Sequence, residues 1–223
     1  MGDVIKEHLE AVRERIDRAA ARAGRDAGEI TLVAVSKVKP ASDIQIAYEA
    51  GQRHFGESYV QEFQRKAASL ANLPGAVFHF IGKLQSNKTG PAAELFHVIQ
   101  TVDSEKIARR LNEAGKPLDV FLEVKLSLEE SKGGVSEERL PAVKEFVEQC
   151  ENLRLRGLMV MPPWFDDPEM ARPYFRRCRE LAEKHGLKSL SMGMSHDLEA
   201  AIEEGATVVR VGTAIFGKRV YEK

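Results

Sequence analysis

Apolar residues recur along this chain with two alternating periods. In the first stretch Val4, Ile5, Leu9, Val12 and Ile16 fall on one stripe at helical spacing, until Gly24 and Gly28 interrupt it. The run from Ile30 to Ser36 is continuous, apolar and β-branched, the pattern of a strand buried on both faces. Lys37 follows it, and Pro40 bars simple continuation of the strand. Seven further runs read as strands: Gln52 to Gly56, Val77 to Ile81, Leu95 to Val102, Leu118 to Leu126, Leu153 to Val160, Leu187 to Ser191 and Ala206 to Val211. Helical patterns separate them. Ser42 or Asp43 caps a helix that ends at Gly51, and Val60, Phe63, Ala67 and Leu70 form the next stripe. Leu84 to Lys88 is a short helix or turn. Ser104 caps a helix carrying Ile107, Ala108 and Leu111, and Ser136 opens one whose stripe is Leu140, Val143, Val147 and Cys150. A long helix follows Pro168 and stops at Gly186, and Ser195 caps one ending at Gly205.

Continuous apolar strands alternating with helices imply a parallel sheet covered on its outside. A count near eight implies closure into a (β/α)8 TIM-type barrel. The chain of 223 residues matches such a barrel in length, so 1–223 is expected to be a single barrel domain with an N-terminal helix. An open doubly wound sheet is the alternative, but no Gly-x-Gly-x-x-Gly follows the first strand.

Composition narrows the functional classes. Lys and Arg total 33 against 34 for Asp and Glu, a formal net charge of -1, without the basic excess of a nucleic-acid binder. The cluster Arg172, Arg176, Arg177 and Arg179 reads as a solvated helix face. Two cysteines, Cys150 and Cys178, sit in amphipathic patterns as small buried hydrophobes, which fits a reducing cytoplasm. Met1 to Arg18 is too charged for a signal peptide, and no apolar run reaches membrane-spanning length. A cytoplasmic protein with no membrane partner is expected.

In such a barrel chemistry sits at the C-terminal ends of the strands. Lys37 is the sharpest candidate there. A lysine held against a low-dielectric core is pushed toward its neutral, nucleophilic form, which condenses with aldehydes. The bland alternative is a lysine snorkelling from the rim, as Lys39 is expected to do. The last two junctions, Ser191-Met-Gly-Met-Ser195 and Arg210-Val-Gly-Thr213, have small residues that let backbone N–H groups approach an anion. Loops after strands seven and eight form the usual phosphate site of this fold. Ser195 and Thr213 add hydroxyls, although Ser195 serves equally as a plain helix cap and Gly212 as a tight turn. Together with Lys37 these residues describe a site for a phosphorylated aldehyde. Parity in the last strand points Arg210 inward, where it needs an acceptor such as a cofactor ring nitrogen. His79 alternates with Phe78 and Phe80 and is either a satisfied core histidine or a site residue. No histidine or carboxylate cluster shows metal-ligand spacing, so no metal is expected.

Several long motifs in order now bear on identity. Val33-Ala-Val-Ser-Lys37-x-Lys-Pro40, Gly51-Gln-Arg-x-Phe-Gly-Glu57, Tyr59-Val-Gln-Glu62, His79-Phe-Ile-Gly-x-Leu-Gln-Ser-Asn-Lys88, Leu155-Arg-Gly-Leu-Met159, Leu190-Ser-Met-Gly-Met-Ser195-x-Asp197 and Val209-Arg-x-Gly-Thr-Ala-Ile-Phe-Gly217 resemble the pyridoxal phosphate homeostasis proteins, the YggS/PROSC family. The resemblance implies a fold-type III pyridoxal-phosphate barrel like the alanine racemase N-terminal domain, without that enzyme's second domain. It implies pyridoxal 5′-phosphate (PLP) as cofactor, held as a Schiff base on Lys37. Ser195, Gly212 and Thr213 then cradle the phosphate and Arg210 faces the pyridine nitrogen, with Ser58 and His79 as further cofactor contacts. The function implied is intracellular PLP homeostasis, by buffering, protection and delivery to apo-enzymes, with no catalytic residue assigned. The absence of a dimerising second domain predicts a monomer.

The chain departs from the family pattern at Ser58, where Asn is usual, at Phe78 in place of a common Trp, and in Glu123-Val-Lys125, which lacks the usual Asn. Lys132 resembles a second family lysine on a mobile loop that relays or receives the cofactor; an exposed solvated lysine is the alternative. Two other functions stay open on sequence: a PLP-dependent racemase or similar enzyme with an unidentified base, and a Schiff-base aldolase without cofactor.

Overall fold

In the computed structural model, which describes residues 2–127 and 133–218, strands and helices alternate from end to end. The strands are β1 (Thr31–Val35), β2 (His54–Glu57), β3 (Val77–Phe80), β4 (Val98–Val102), β5 (Leu118–Glu123), β6 (Leu153–Met159), β7 (Ser189–Ser191) and β8 (Val208–Val211). All pair in parallel in chain order, and β8 returns to β1 through Thr31↔Val208 to Ala34↔Val211, which closes the barrel. The helices are α1 (Gly2–Arg22), α2 (Ala41–Glu49), α3 (Val60–Ala67), α4 (Thr89–Leu95), α5 (Glu105–Glu113), α6 (Leu140–Glu148), α7 (Arg172–Lys184), α8 (Leu198–Glu203) and α9 (Thr213–Phe216).

Two apolar layers hold this arrangement. Val33, Val98, Phe121, Met159 and Val208 form a small plug inside the barrel. The larger core lies between strands and helices and includes Val209 and Val211. Alternation along β8 therefore turns Val208 and Arg210 inward and the other two valines outward, as parity predicts. Closure needs a close approach of β6 to β7. A Cβ on Gly157 would lie 1.8 Å from the Ser189 carbonyl oxygen, so only glycine fits there.

α1 lays Ile5, Leu9, Val12 and Ile16 into the core, as its stripe predicts, and adds Ala19 and Ala20; Val4 turns outward, 49% exposed. The helix packs against α2, α8 and α9. Arg15 and Arg22 pair with Glu199 and Glu203 of α8, and His8 Nδ1 bonds the Ile215 carbonyl at 2.9 Å. α1 thus braces the loops that follow β7 and β8.

Four local expectations need correction. α2 starts behind Pro40 with no side-chain cap from Ser42 or Asp43. The segment after Leu84 continues into a full helix, α4, so the strand expected from Leu95 begins at Val98. Pro91 does not prevent this, because the first-turn N–H groups of a helix need no partner inside it. The helix expected from Ser136 begins at Leu140; Ser136 accepts from Arg139 and Leu140 through its carbonyl instead. The arginine cluster of α7 is no bare solvated face. Arg172, Arg176 and Arg179 all reach Glu204, which is buried, while Arg177 pairs with Glu137 and Glu180. Ser104 caps α5 as expected, accepting from Ile107 N–H at 3.4 Å. Both cysteines are buried, and burial pushes the Cys178 thiol up to about 12. No helix of the described residues is long and apolar enough to cross a membrane.

Candidate functional site

Lys37 stands two residues beyond β1, half-buried, on a turn that the sequence alone would not favour. The next residue, Val38, has φ +62°, a left-handed conformation that costs a β-branched residue about 1–3 kcal/mol. Neighbouring groups hold the turn. Val38 N–H donates to Glu62 Oε1 at 2.7 Å, and the Ser36 hydroxyl donates to Glu57 Oε1 at 2.8 Å. Lys66 Nζ donates to the Ser36 carbonyl at 3.2 Å and to Glu57 Oε1 at 3.1 Å, and it pairs with Glu62. Glu57 is fully buried, and among the described residues its Oε2 has no hydrogen-bond partner. Burial pushes this carboxyl up to about 7, against the opposing pull of Lys66 and of the Ser36 bond. Lys39 does not snorkel away. Its ammonium donates to the Phe216 carbonyl at 2.6 Å and so ties the Lys37 turn to the end of α9.

Arg210 is buried inside the barrel. Its Nη1 donates to Ser191 Oγ at 2.7 Å and its Nη2 to the Val160 carbonyl at 3.0 Å. Burial pulls the guanidinium down to about 10, opposed by Asp197 and Glu123, so it stays charged at neutral pH. His79 lies deeper, bonded on both ring nitrogens, to Gln100 Nε2 and to His54 Nδ1, each at 3.0 Å. It is a satisfied interior histidine, and burial drops it to about 3.

The loops after β7 and β8 meet at Ser195. Its Oγ accepts from the backbone N–H groups of Gly212 at 3.3 Å and Ala214 at 3.4 Å. Its carbonyl is held by Arg15 Nη2 at 3.0 Å. Ser195 therefore does not cap α8, as the sequence suggests. Asp197 occupies the cap position and spends its carboxylate on Met194 N–H at 2.6 Å, which closes the loop back on itself. Gly193 makes this turn possible: φ is +93°, and a Cβ there would lie 2.5 Å from Ala201 Cβ.

These elements enclose two adjoining lobes. One, of about 410 Å³, is lined by Lys37, Ser195, Arg210, Gly212 and Thr213, with Trp164 and His196 at its edge. The other, of about 390 Å³, is lined by Lys37, Ser58, Tyr59, Lys83, Glu123 and Lys125, among others. Lys37, Ile81 and Met161 belong to both. Five of the seven residues singled out in the sequence thus line one lobe; Ser58 lines the other, and His79 lines neither. Lys132 lies outside the described residues.

Among its described lining residues the first lobe carries Lys37 and Arg210 and no carboxylate. Converging backbone N–H groups and the hydroxyls of Ser195 and Thr213 complete a surface suited to an anion beside a lysine amine. Its volume falls in the range of ordinary small-molecule sites. Among the described residues no group of three or more His, Cys, Asp or Glu could hold a metal ion.

Sequence inspection missed the supporting groups Glu57, Glu62 and Lys66. The i,i+4 spacing of Glu62 and Lys66 is the one signal that marks them. It also missed the stack of Trp164 on His196, with ring centroids 4.8 Å apart. No periodicity announces a contact between residues 32 positions apart in loops.

Comparison with known proteins gives concordant results. Residues 8–220 match the family described as the alanine racemase N-terminal domain. The chain is 52% identical over 223 residues to the pyridoxal phosphate homeostasis protein of Pseudomonas aeruginosa, covering 97% of this chain and 96% of that one. It is 46% identical over 233 residues to the protein of the same name from Escherichia coli K12, covering 98% of each. Among solved structures, PipY of Synechococcus elongatus with PLP bound superposes with a TM-score of 0.83 at 38% identity, covering 96% of this chain and all of that one.

Proposed function

This chain belongs to the pyridoxal phosphate homeostasis proteins, and from that membership we propose that it binds PLP as a Schiff base on Lys37 and takes part in PLP homeostasis. The observation that carries the proposal is the single lobe joining Lys37, Arg210, Ser195, Gly212 and Thr213. PLP bound to PipY at 38% identity supports the same reading. The lobe fits the group on its own terms, because it is cationic, lacks a carboxylate among its described lining residues and ends in N–H groups that meet at a serine hydroxyl. Bound PLP supplies a reactive aldehyde that condenses with amines.

The remaining roles belong to the protein. Ser195 Oγ, Thr213 and the N–H groups of Gly212 and Ala214 hold the phosphate. Arg210, kept charged and fixed by Ser191 and Val160, would meet the cofactor's ring nitrogen as a donor. The naming of the relatives for homeostasis supports a carrier rather than an enzyme. In this proposal residues 1–223 act as one barrel domain and as a monomer in the cytoplasm, handing the cofactor to apo-enzymes.

The test has two arms. Protein loaded with PLP should retain it through desalting, and mixing it with an apo-form of a PLP enzyme should restore that enzyme's activity. Loss of PLP on desalting rejects binding. Retention without any restoration rejects delivery and leaves storage.

A further inference from the structure

Trp164 is the chain's only tryptophan, and among the described residues it is the most exposed large apolar side chain, at 70%. One exposed apolar residue needs no explanation by itself. This one lines the lobe of Lys37 and Arg210 on one side and an adjoining hollow of about 220 Å³ on the other. Met161, Met194 and His196 are the other described residues common to both. Pro162, Pro163, Phe165 and Ala171 wall the hollow further, so it offers an indole an apolar bed.

The backbone around Trp164 is restrained on both sides. Upstream, Val160 N–H donates to the Ser191 carbonyl at 3.1 Å, and the Val160 carbonyl accepts from Arg210 Nη2 at 3.0 Å. Pro162 and Pro163 follow, each with φ fixed by its ring. Downstream, Phe165 packs against the main core and beside Tyr174, with ring centroids 5.9 Å apart. The indole itself is held by its stack on His196, with centroids 4.8 Å and planes 27° apart. His196 is fixed in turn, because its Nε2 donates to the Asp166 carbonyl at 3.0 Å. It also directly follows Ser195, whose hydroxyl meets the Gly212 and Ala214 N–H groups. A fixed backbone carrying a ring on one aromatic contact behaves as a rotor: the contact opens and recloses without rearranging the loop.

We propose that Trp164, latched on His196, is a gate on the route by which PLP enters and leaves this lobe. Stacked, the indole narrows the lobe between the loops that follow β6 and β7. Unstacked, it turns toward the apolar hollow and widens that side. The inference rests on the reading of the lobe as the PLP site. A gate of this kind acts on entry and exit alike and leaves the binding equilibrium alone, because it favours neither the free nor the bound state.

The experiment follows the visible band of bound PLP by stopped flow in the full chain. Mixing with PLP reads entry, and a chase with excess pyridoxine 5′-phosphate, which has no aldehyde, reads exit. Trp164→Ala should speed both by about two- to tenfold, the range that loss of one aromatic pair allows, with affinity unchanged. His196→Ala should do the same, and the double variant should gain little more, because the two rings form one contact. His196→Tyr keeps a ring to stack on and should return both rates toward the wild type. In the chain without PLP, His196→Ala should raise the quenching of Trp164 fluorescence by acrylamide. Unchanged entry and exit in Trp164→Ala overturn the gate. Faster exit alone, with weaker binding, also overturns it and makes Trp164 an ordinary contact. Unchanged acrylamide quenching in His196→Ala overturns the latch. A wild type without a band overturns the PLP reading and the gate together, whereas a band with unchanged rates removes the gate and leaves the PLP reading standing.

Discussion

The guanidinium of Arg210 donates to the hydroxyl of Ser191 at 2.7 Å, and this bond fixes the direction of every hydrogen bond beneath it. Having accepted from a group that can only donate, Ser191 Oγ donates its own proton to Gln100 Oε1 at 2.6 Å. Gln100 Nε2 donates in turn to His79 Nδ1, which leaves the ring proton on Nε2, facing His54 Nδ1. The chain runs through the barrel interior with one positive charge, at the end that lines the cavity. Each member is neutral except Arg210, and each holds the next in place.

Ser191→Ala breaks this chain at its first link. It removes one acceptor from a buried guanidinium and the donor to Gln100. The unfolding free energy should fall by about 1–3 kcal/mol. Urea denaturation checks this; a midpoint equal to that of the wild type contradicts it.

Two buried groups give the stability profile opposite slopes with pH. His79 sits at about 3 in the folded chain against 6.5 in its ordinary state, because burial disfavours its charge. Between those values the unfolded chain binds a proton that the native chain refuses, so stability falls as pH drops from 6.5 toward 3. Glu57 sits at about 7 against 4.5, again through burial. Between 4.5 and 7 the native chain holds a proton that the unfolded chain has lost, so this group's contribution falls as pH rises. Urea midpoints measured from pH 4.5 to 8 should show Glu57→Gln losing less stability on the alkaline side than the wild type. His79→Gln should lose less on the acid side. Profiles parallel to the wild type in both variants contradict these assignments.

Glu62 restrains the strained turn that carries Lys37. Glu62→Ala frees Val38 N–H and leaves Lys66 with Glu57 and the Ser36 carbonyl. PLP retention should weaken by about tenfold, or ~1.4 kcal/mol. Glu62→Gln keeps an acceptor oxygen for Val38 and should recover most of that loss. Equal retention in all three proteins, measured by equilibrium dialysis, contradicts a role for this contact.

The phosphate assignment predicts that Ser195→Ala combined with Thr213→Ala weakens PLP binding by several kcal/mol. Hydrogen bonds to a charged group are worth roughly 1.5–3 kcal/mol each. Binding of unphosphorylated pyridoxal should change far less. Unchanged PLP affinity in the double variant removes these residues from the site.

Much of this is legible in the amino-acid sequence. Apolar runs gave the eight strands, and the rule that barrel chemistry gathers at strand ends brought Lys37, Ser195, Gly212 and Thr213 together. Alternation in Val208–Val211 placed Arg210 inside, because an outward-facing valine suits the helix-packed surface. What stayed hidden depends on partners remote in sequence. Ser195 has the composition of a helix cap, yet its hydroxyl serves Gly212 and Ala214, because α1 and Asp197 fix the loop elsewhere. His79 reads equally as ligand or core until Gln100 and His54 are seen on its two nitrogens. The left-handed turn at Val38 contradicts local preference outright, and partners remote in sequence, Glu62 and Lys66 among them, explain it.

The central claim is that Lys37 carries PLP covalently. The most direct measurement loads the protein with PLP, reduces it with borohydride and maps the modified lysine by peptide mass spectrometry, wild type beside Lys37→Ala. The account predicts a pyridoxyl group on the peptide containing Lys37 in the wild type and a loss of the visible band in the variant. A group found instead on Lys39, Lys83 or Lys125, or a band that survives in Lys37→Ala, would contradict it.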